Sequence, residues 1–136
     1  PALQDLDKQD AHGDMIMDIA DSIYANKNEF YVVIVSNEHK IIENLDPEVM
    51  VEVLCQLGAD GPKPYYVGRI PTYHKGLIEQ QYAYEKLTVD AYFEQSYKKA
   101  LQALTINRTV VDMELAKKIL DDLIEHNKGY WPELRR

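Results

Sequence analysis

The stretch that decides the fold is Met50-Val51-Glu52-Val53-Leu54-Cys55-Gln56-Leu57, followed by Gly58-Ala59-Asp60-Gly61-Pro62 and Lys63-Pro64-Tyr65-Tyr66-Val67. Met50, Val51, Val53, Leu54 and Leu57 predict a strand, since β-branched and apolar residues fit a pleated, half-buried surface. Gly58 to Pro62 is turn chemistry, because glycine supplies positive φ and proline fixes its own. Lys63 to Val67 then returns as a further strand, and Pro64 near its start fits an edge where one backbone donor is not needed. Gly68-Arg69-Ile70-Pro71 closes the strand region.

Upstream, Phe30 to Val35 is an unbroken run of aromatic and β-branched residues, which predicts a central strand covered on both faces. Between Asp14 and Ala25 the apolar residues Ile16, Ile19, Ala20, Ile23 and Tyr24 line one face of a helix. Downstream, about Tyr73 to Leu104 is helix-favouring and free of proline, giving one long helix or two in sequence. Thr88 and Val89 are its weakest helix formers and mark the expected break, while Phe93, Tyr97, Leu101 and Leu104 form a buried stripe. Asp112 caps a final helix whose Leu115, Ala116, Ile119, Leu120, Leu123 and Ile124 share a face. Asn127-Lys128-Gly129 ends it, and Trp131-Pro132 packs back as a tail. The order of helix, three strands and further helices gives an α+β layout, read as a single domain over residues 1–136.

Charge and composition narrow the function. With 23 acidic and 15 basic residues the formal net charge is −8, a field that repels nucleic acid and anionic membrane surfaces. A local basic pocket can still hold one phosphate. The single cysteine, Cys55, has no partner for an internal disulfide, and no signal peptide or apolar run of spanning length is present. The cytoplasm is the simplest home. Pro1 running into Ala-Leu-Gln-Asp-Leu reads as a cut end, although removal of a methionine would give the same start.

The chemistry-bearing residues are sparse. The six glycines form neither G-x-G-x-x-G nor G-x-x-x-x-G-K-[ST], so no phosphate loop for a dinucleotide is encoded. His12, His39, His74 and His126 lie far apart without metal-ligand spacing. His12, ahead of the first helix and beside Gly13, suits either a solvent-exposed cap or a proton-exchanging group facing a cleft. His74 beside Lys75 reads as a surface pair. Arg69 and Lys75 flank the Ile70-Pro71 turn and can either be solvated or hold an anion, arginine by its fork and lysine as a point charge. Tyr65, Tyr66, Tyr73, Tyr82, Tyr84, Tyr92 and Tyr97 crowd one region, a surface for packing, for an oligomer interface or for sugar stacking. Cys55 in its strand reads as a small buried hydrophobe, and neither a catalytic triad nor a carboxylate pair stands out.

Val51-Glu52-Val53-Leu54-Cys55, Asp60-Gly61-Pro62-Lys63-Pro64 and Val67-Gly68-Arg69-Ile70-Pro71 together resemble the C-terminal region of family-four glycoside hydrolases. Lys75 to Gln81, Glu85 to Ala91, Gln102-Ala103-Leu104 and Tyr130-Trp131-Pro132-Glu133-Leu134 are similar to its 6-phospho-α-glucosidase branch, so the resemblance covers about residues 10 to 134. It implies the second part of a two-part enzyme: an α+β domain like the C-terminal domain of lactate and malate dehydrogenases, serving substrate binding and assembly, with an NAD-binding Rossmann domain in the other part.

The activity it implies is hydrolysis of 6-phospho-α-glucosides such as maltose 6-phosphate. NAD oxidises the sugar C3 hydroxyl, a divalent metal, typically Mn2+, polarises the ketone, and a base removes the acidified C2 proton. Elimination, water addition and return of the hydride follow. The family's metal-binding cysteine and histidine lie outside this stretch, so NAD and Mn2+ are expected of the parent and not of this segment, which is expected to be inactive alone. His12, in Ala11-His12-Gly13, stands at the place of the family's tyrosine base, and Arg69 and Lys75 become candidate substrate contacts. An arginine expected to hold the phosphate falls near Phe30. Assembly as a homo-oligomer is also implied. The rival expectation is a non-catalytic, stand-alone remnant that binds a partner through the tyrosine-rich helices.

Overall fold

A computed structural model describes residues 11–136. The element order is α1 (Ala11–Tyr24), β1 (Glu29–Ser36), a 3-10 turn (Asn37–His39), β2 (Met50–Gly58), β3 (Gly61–Pro64), α2 (Thr72–Glu94), α3 (Tyr97–Ile106) and α4 (Met113–His126). This α+β chain packs as two compact units, one ending at Ile70 and the other comprising Pro71–Arg136. Among the described residues no helix is long and apolar enough to cross a membrane.

The first unit is built on an antiparallel sheet of order β1-β2-β3. Alternation along β2 sends Val51, Val53, Cys55 and Leu57 inward, where they are buried with Ile41, Ile42, Leu45 and Val49 from the preceding loop. Ser22 ties α1 to this sheet: its buried Oγ donates to Leu57 O at 2.9 Å. Asn26 and Asn28 turn the chain from α1 into β1 at positive φ, 51° and 59°. They lie so close to β2 that a Cβ on Gly58 would meet Asn28 Oδ1 at 2.5 Å, so any larger residue there must displace the asparagine side chains.

Two sequence expectations change here. The Phe30 to Val35 run forms an edge strand, and β2 takes the centre, because β2 alone has a hydrogen-bonded neighbour on each side. One face of β1 is half-buried through Tyr31, Val33 and Val35, while Phe30, Val32 and Ile34 stand exposed on the other. The third strand ends earlier than the expected Val67. Tyr65 N still donates to Leu54 O at 2.9 Å, but Val67 N and Gly68 N turn away to Ile41 O at 2.9 and 3.2 Å. Pro62 and Pro64 sit on the sheet's edge, as a missing backbone donor requires.

In the second unit α2 runs through Thr88 unbroken, and the Thr88 hydroxyl donates to Tyr84 O at 2.8 Å within the helix. The break falls at Gln95, which adopts left-handed geometry (φ 55°), and Ser96 Oγ restarts the chain as α3 by accepting from Lys99 N. Phe93 is therefore outside the stripe expected of it and 77% exposed, while Tyr97 and Ala103 are buried. Asp112 Oδ1 accepts from Leu115 N at 2.8 Å, the N-cap that the sequence encodes for α4, a contact worth about 1 kcal/mol. Ala116 and Leu120 are the buried residues of that helix. The tail packs back as expected: Tyr97 N donates to Arg135 O at 3.0 Å and Arg135 N to Gln95 O at 2.7 Å.

Candidate functional site

Arg69 stands on a loop fixed by its own backbone. Glycine at position 68 accepts φ +81°, Glu43 N donates to Gly68 O at 3.0 Å, and Ile42 and Gly68 form a parallel bridge. Asn44 completes the clamp on Ile70, and the segment that carries Arg69 is tied down on both sides of it. The guanidinium lies 3.9 Å from Glu43 Oε2 with its side chain 73% exposed. That separation exceeds hydrogen-bonding reach, so the planar fork can turn to a bidentate anion. The Tyr66 hydroxyl donates to Glu43 Oε1, and this hydrogen bond, ahead of burial, raises the Tyr66 pKa. Glu43 thus keeps a partner if Arg69 swings toward a ligand.

Lys75 belongs to the second unit, in the first turn of α2, where Nζ meets Glu79 Oε1 at 2.5 Å across one helical turn. No acidic residue occupies that first turn, which leaves the helix N-terminus favourable to negative charge. The rings of Tyr73 and His74 meet edge to face at 5.4 Å. His12 lies in the first turn of α1 with an exposed side chain, followed by a helical Gly13. Each of the three nominated residues is therefore surface-accessible. Arg69 and Lys75 each have a carboxylate partner within their own unit.

The tyrosines divide. Tyr65, Tyr66, Tyr73 and Tyr92 are exposed, while Tyr97 is buried with its hydroxyl donating to Asp121 Oδ1 at 2.8 Å. Tyr84 and Tyr92 line an apolar cavity of about 290 Å3 in the second unit, together with Ala91, Leu120, Trp131 and Leu134. No charged side chain lines it, so it offers nothing to a sugar phosphate. Cys55 is fully buried, and burial pushes its thiol pKa up, which leaves it a poor nucleophile.

Among the described residues no group of three or more histidine, cysteine, aspartate or glutamate side chains is placed to hold a metal ion. The sheet is antiparallel throughout and lacks the parallel crossover on which dinucleotide loops are built. The described residues do not by themselves fit NAD or manganese. Sequence reasoning missed Glu43 and Asn44, and it named Tyr66 only as one of the clustered tyrosines and not as a neighbour of Arg69. No periodicity signals them, because their roles come from a loop meeting a strand end.

Comparison with known proteins matches residues 2–110 to the family model described as the family 4 glycosyl hydrolase C-terminal domain. The chain is 54% identical to phospho-alpha-glucosidase PagL of Clostridium acetobutylicum over 90% of its own length and 27% of that protein's. A crystal structure of a 6-phospho-alpha-glucosidase from gut microorganisms, in complex with NAD and Mn2+, superposes with a TM-score of 0.87 at 50% identity, covering 93% of this chain and 29% of that one. A second such structure, in complex with NAD and glucose-6-phosphate, gives 0.85 at 48% identity over 91% of this chain and 28% of that one. The chain thus spans a little over a quarter of the length of the relatives it matches.

Proposed function

We propose a function from one premise: this chain belongs to the family 4 glycosyl hydrolases, as their C-terminal domain. It serves as the substrate and assembly domain of a 6-phospho-α-glucosidase that hydrolyses phosphorylated α-glucosides such as maltose 6-phosphate, within a homo-oligomeric enzyme. The observation that carries this reading is identity near one half sustained over nine-tenths of the chain, with the backbone preserved at a TM-score of 0.87.

In an enzyme that contains this chain, NAD would supply reversible oxidation of the sugar, and a divalent metal would supply polarisation of a carbonyl. The contribution assigned to this chain is narrower. Arg69, carried on a backbone-pinned loop, contacts the substrate phosphate. Lys75 has a phosphate-contacting role of its own at the start of α2. His12 is assigned as the proton-abstracting base.

The test is a chimaera in which this chain replaces the matching C-terminal segment of the Clostridium acetobutylicum relative. Turnover of a chromogenic 6-phospho-α-glucoside that requires NAD and Mn2+ is the expected result, with none from the 136-residue chain alone. A folded but inert chimaera, or NAD-independent turnover by the isolated chain, overturns the reading.

A further inference from the structure

The outward face of the sheet carries six large apolar side chains, Phe30, Val32, Ile34, Met50, Leu54 and Tyr65, each between 45 and 66% exposed. Phe30 and Tyr65 already meet across it with ring centroids 5.8 Å apart. At roughly 150–200 Å2 per side chain this leaves on the order of 600 Å2 of apolar surface, the upper end of what a monomer leaves open. With the polar groups around it, the face approaches the ~800 Å2 per partner of a standard interface.

The strand register arranges this face in rows. Ile34 stands opposite Glu52, and Val32 opposite Leu54, with Tyr65 bonded beyond it. Phe30 stands opposite Gln56, with Lys63 beyond. Successive rows are about 6.7 Å apart, two residues along a strand. An acid therefore lies on one side of the apolar middle row and a base on the other.

That asymmetry selects an occupant. We infer that the outward face of β1-β2-β3 pairs with the same face of a second copy of this chain, about a two-fold axis running across the strands over the Val32-Leu54-Tyr65 row. The operation reverses strand direction, so Glu52 of each copy lies over the Gln56-Lys63 row of the other, and Phe30 over Ile34. Val32, Leu54 and Tyr65 each meet their own counterpart. The two sheets then pack aligned, about 10 Å apart, as in a sandwich. Lys63 is held by Asp60 at 2.9 Å in an exposed pair, which costs little to exchange for Glu52 of the second copy. An unlike partner has no reason to match this charge order, whereas a self-complementary two-fold contact demands it. The pairing stands on the sheet alone and does not depend on the enzymatic reading.

Sedimentation velocity on the 136-residue chain tests it. The wild type dimerises, whereas Glu52→Lys and Lys63→Glu each weaken self-association by about tenfold or more by placing like charges together. Mixing the two variants restores association as a heterodimer, since each reversed charge then meets its opposite, and the double variant dimerises with itself. Val32→Cys, lying on the axis, is joined between copies by a short bismaleimide linker that spans the roughly 10 Å between the sheets, while the buried Cys55 is shielded from it. A monomeric wild type, variants that associate unchanged, or a mixture that forms no heterodimer overturns the proposal. Cross-linking of Val32→Cys in the isolated chain but not in the chimaera would mean that the remaining polypeptide covers this face, and would overturn the pairing for the assembled enzyme.

Discussion

Asn44 and Ile70 exchange two hydrogen bonds, Nδ2 donating to the Ile70 carbonyl and Oδ1 accepting the Ile70 N–H, both at 3.0 Å. One side chain satisfies both backbone groups of the last residue in the first unit, and so fixes the loop that presents Arg69. Asn44→Ala should lower the stability of the chain by about 1–3 kcal/mol, through two partly buried backbone groups left without partners. In the chimaera it should raise KM for the phosphorylated substrate more than it lowers kcat, because Arg69 loses its mounting. Urea denaturation and steady-state kinetics on one preparation read both effects.

Asn37 performs a similar task at full burial. Its Nδ2 donates to the carbonyls of Ile42, Leu45 and Asp46 at 3.0 to 3.3 Å, and its Oδ1 accepts from Ile42 N at 2.8 Å. Asn37→Asp turns the donor end into an acceptor facing three carbonyls, so the carboxylate must unfold the loop or take a proton. The variant should be destabilised by about 3 kcal/mol or more at neutral pH and recover part of that near pH 5, where protonation restores a donor. Equal destabilisation at both pH values would refute this account.

Asp121 gathers donors in the second unit. Lys117, then the Tyr97 hydroxyl, hold its carboxyl below the usual aspartate range, with Arg136 at 3.3 Å adding to them. Its contribution to stability is thus fully present above about pH 3.9, the ordinary aspartate value, and is lost as pH falls through the depressed folded one. Tyr97 has the opposite sign. Burial first, and Asp121 second, raise its hydroxyl pKa, so its contribution holds below about pH 10 and disappears as pH rises through the raised value. The stability gap between wild type and Asp121→Asn, measured in urea across pH, should close on the acid side. Tyr97→Phe should flatten the alkaline side.

Arg69 and Lys75 form exposed or half-exposed ion pairs, which contribute little to folding. Arg69→Gln and Lys75→Gln should each leave stability within about 0.5 kcal/mol. Made singly in the chimaera, each should raise KM for a 6-phosphorylated glucoside about tenfold or more, the loss of a charge-assisted contact. An unchanged KM removes that residue from the substrate site. His12→Phe should abolish turnover, and undiminished turnover assigns the base elsewhere.

The sequence made some elements legible and hid others for identifiable reasons. Asp112 and the spacing from Leu115 to Ile124 are local signals, and α4 forms where they place it. The interruption between α2 and α3 was misplaced because Thr88 has weak intrinsic helix propensity, while its hydroxyl finds a carbonyl one turn back. Ser96, three residues ahead of the Lys99 N–H it caps, was the available cue. The run from Phe30 to Val35 gave the strand but not its place in the sheet, since an apolar outward face reads alike whether covered by the same chain or by another. Arg69 and Lys75 were visible as charges, but the Asn44 clamp joins residues 26 positions apart and leaves no local trace.

The sheltered position of Cys55 gives the protein a built-in clock. The chain has one sulfhydryl, placed on the inward face of β2 at zero exposure, so a disulfide reagent can react only when the sheet parts from the loop beneath it. Under fast labelling the reaction rate equals the rate of that opening, and under slow labelling it reports the population of the opened form. Opening around β2 can therefore be timed without a probe in the helices that follow Pro71, and the unmodified sequence already carries the reporter.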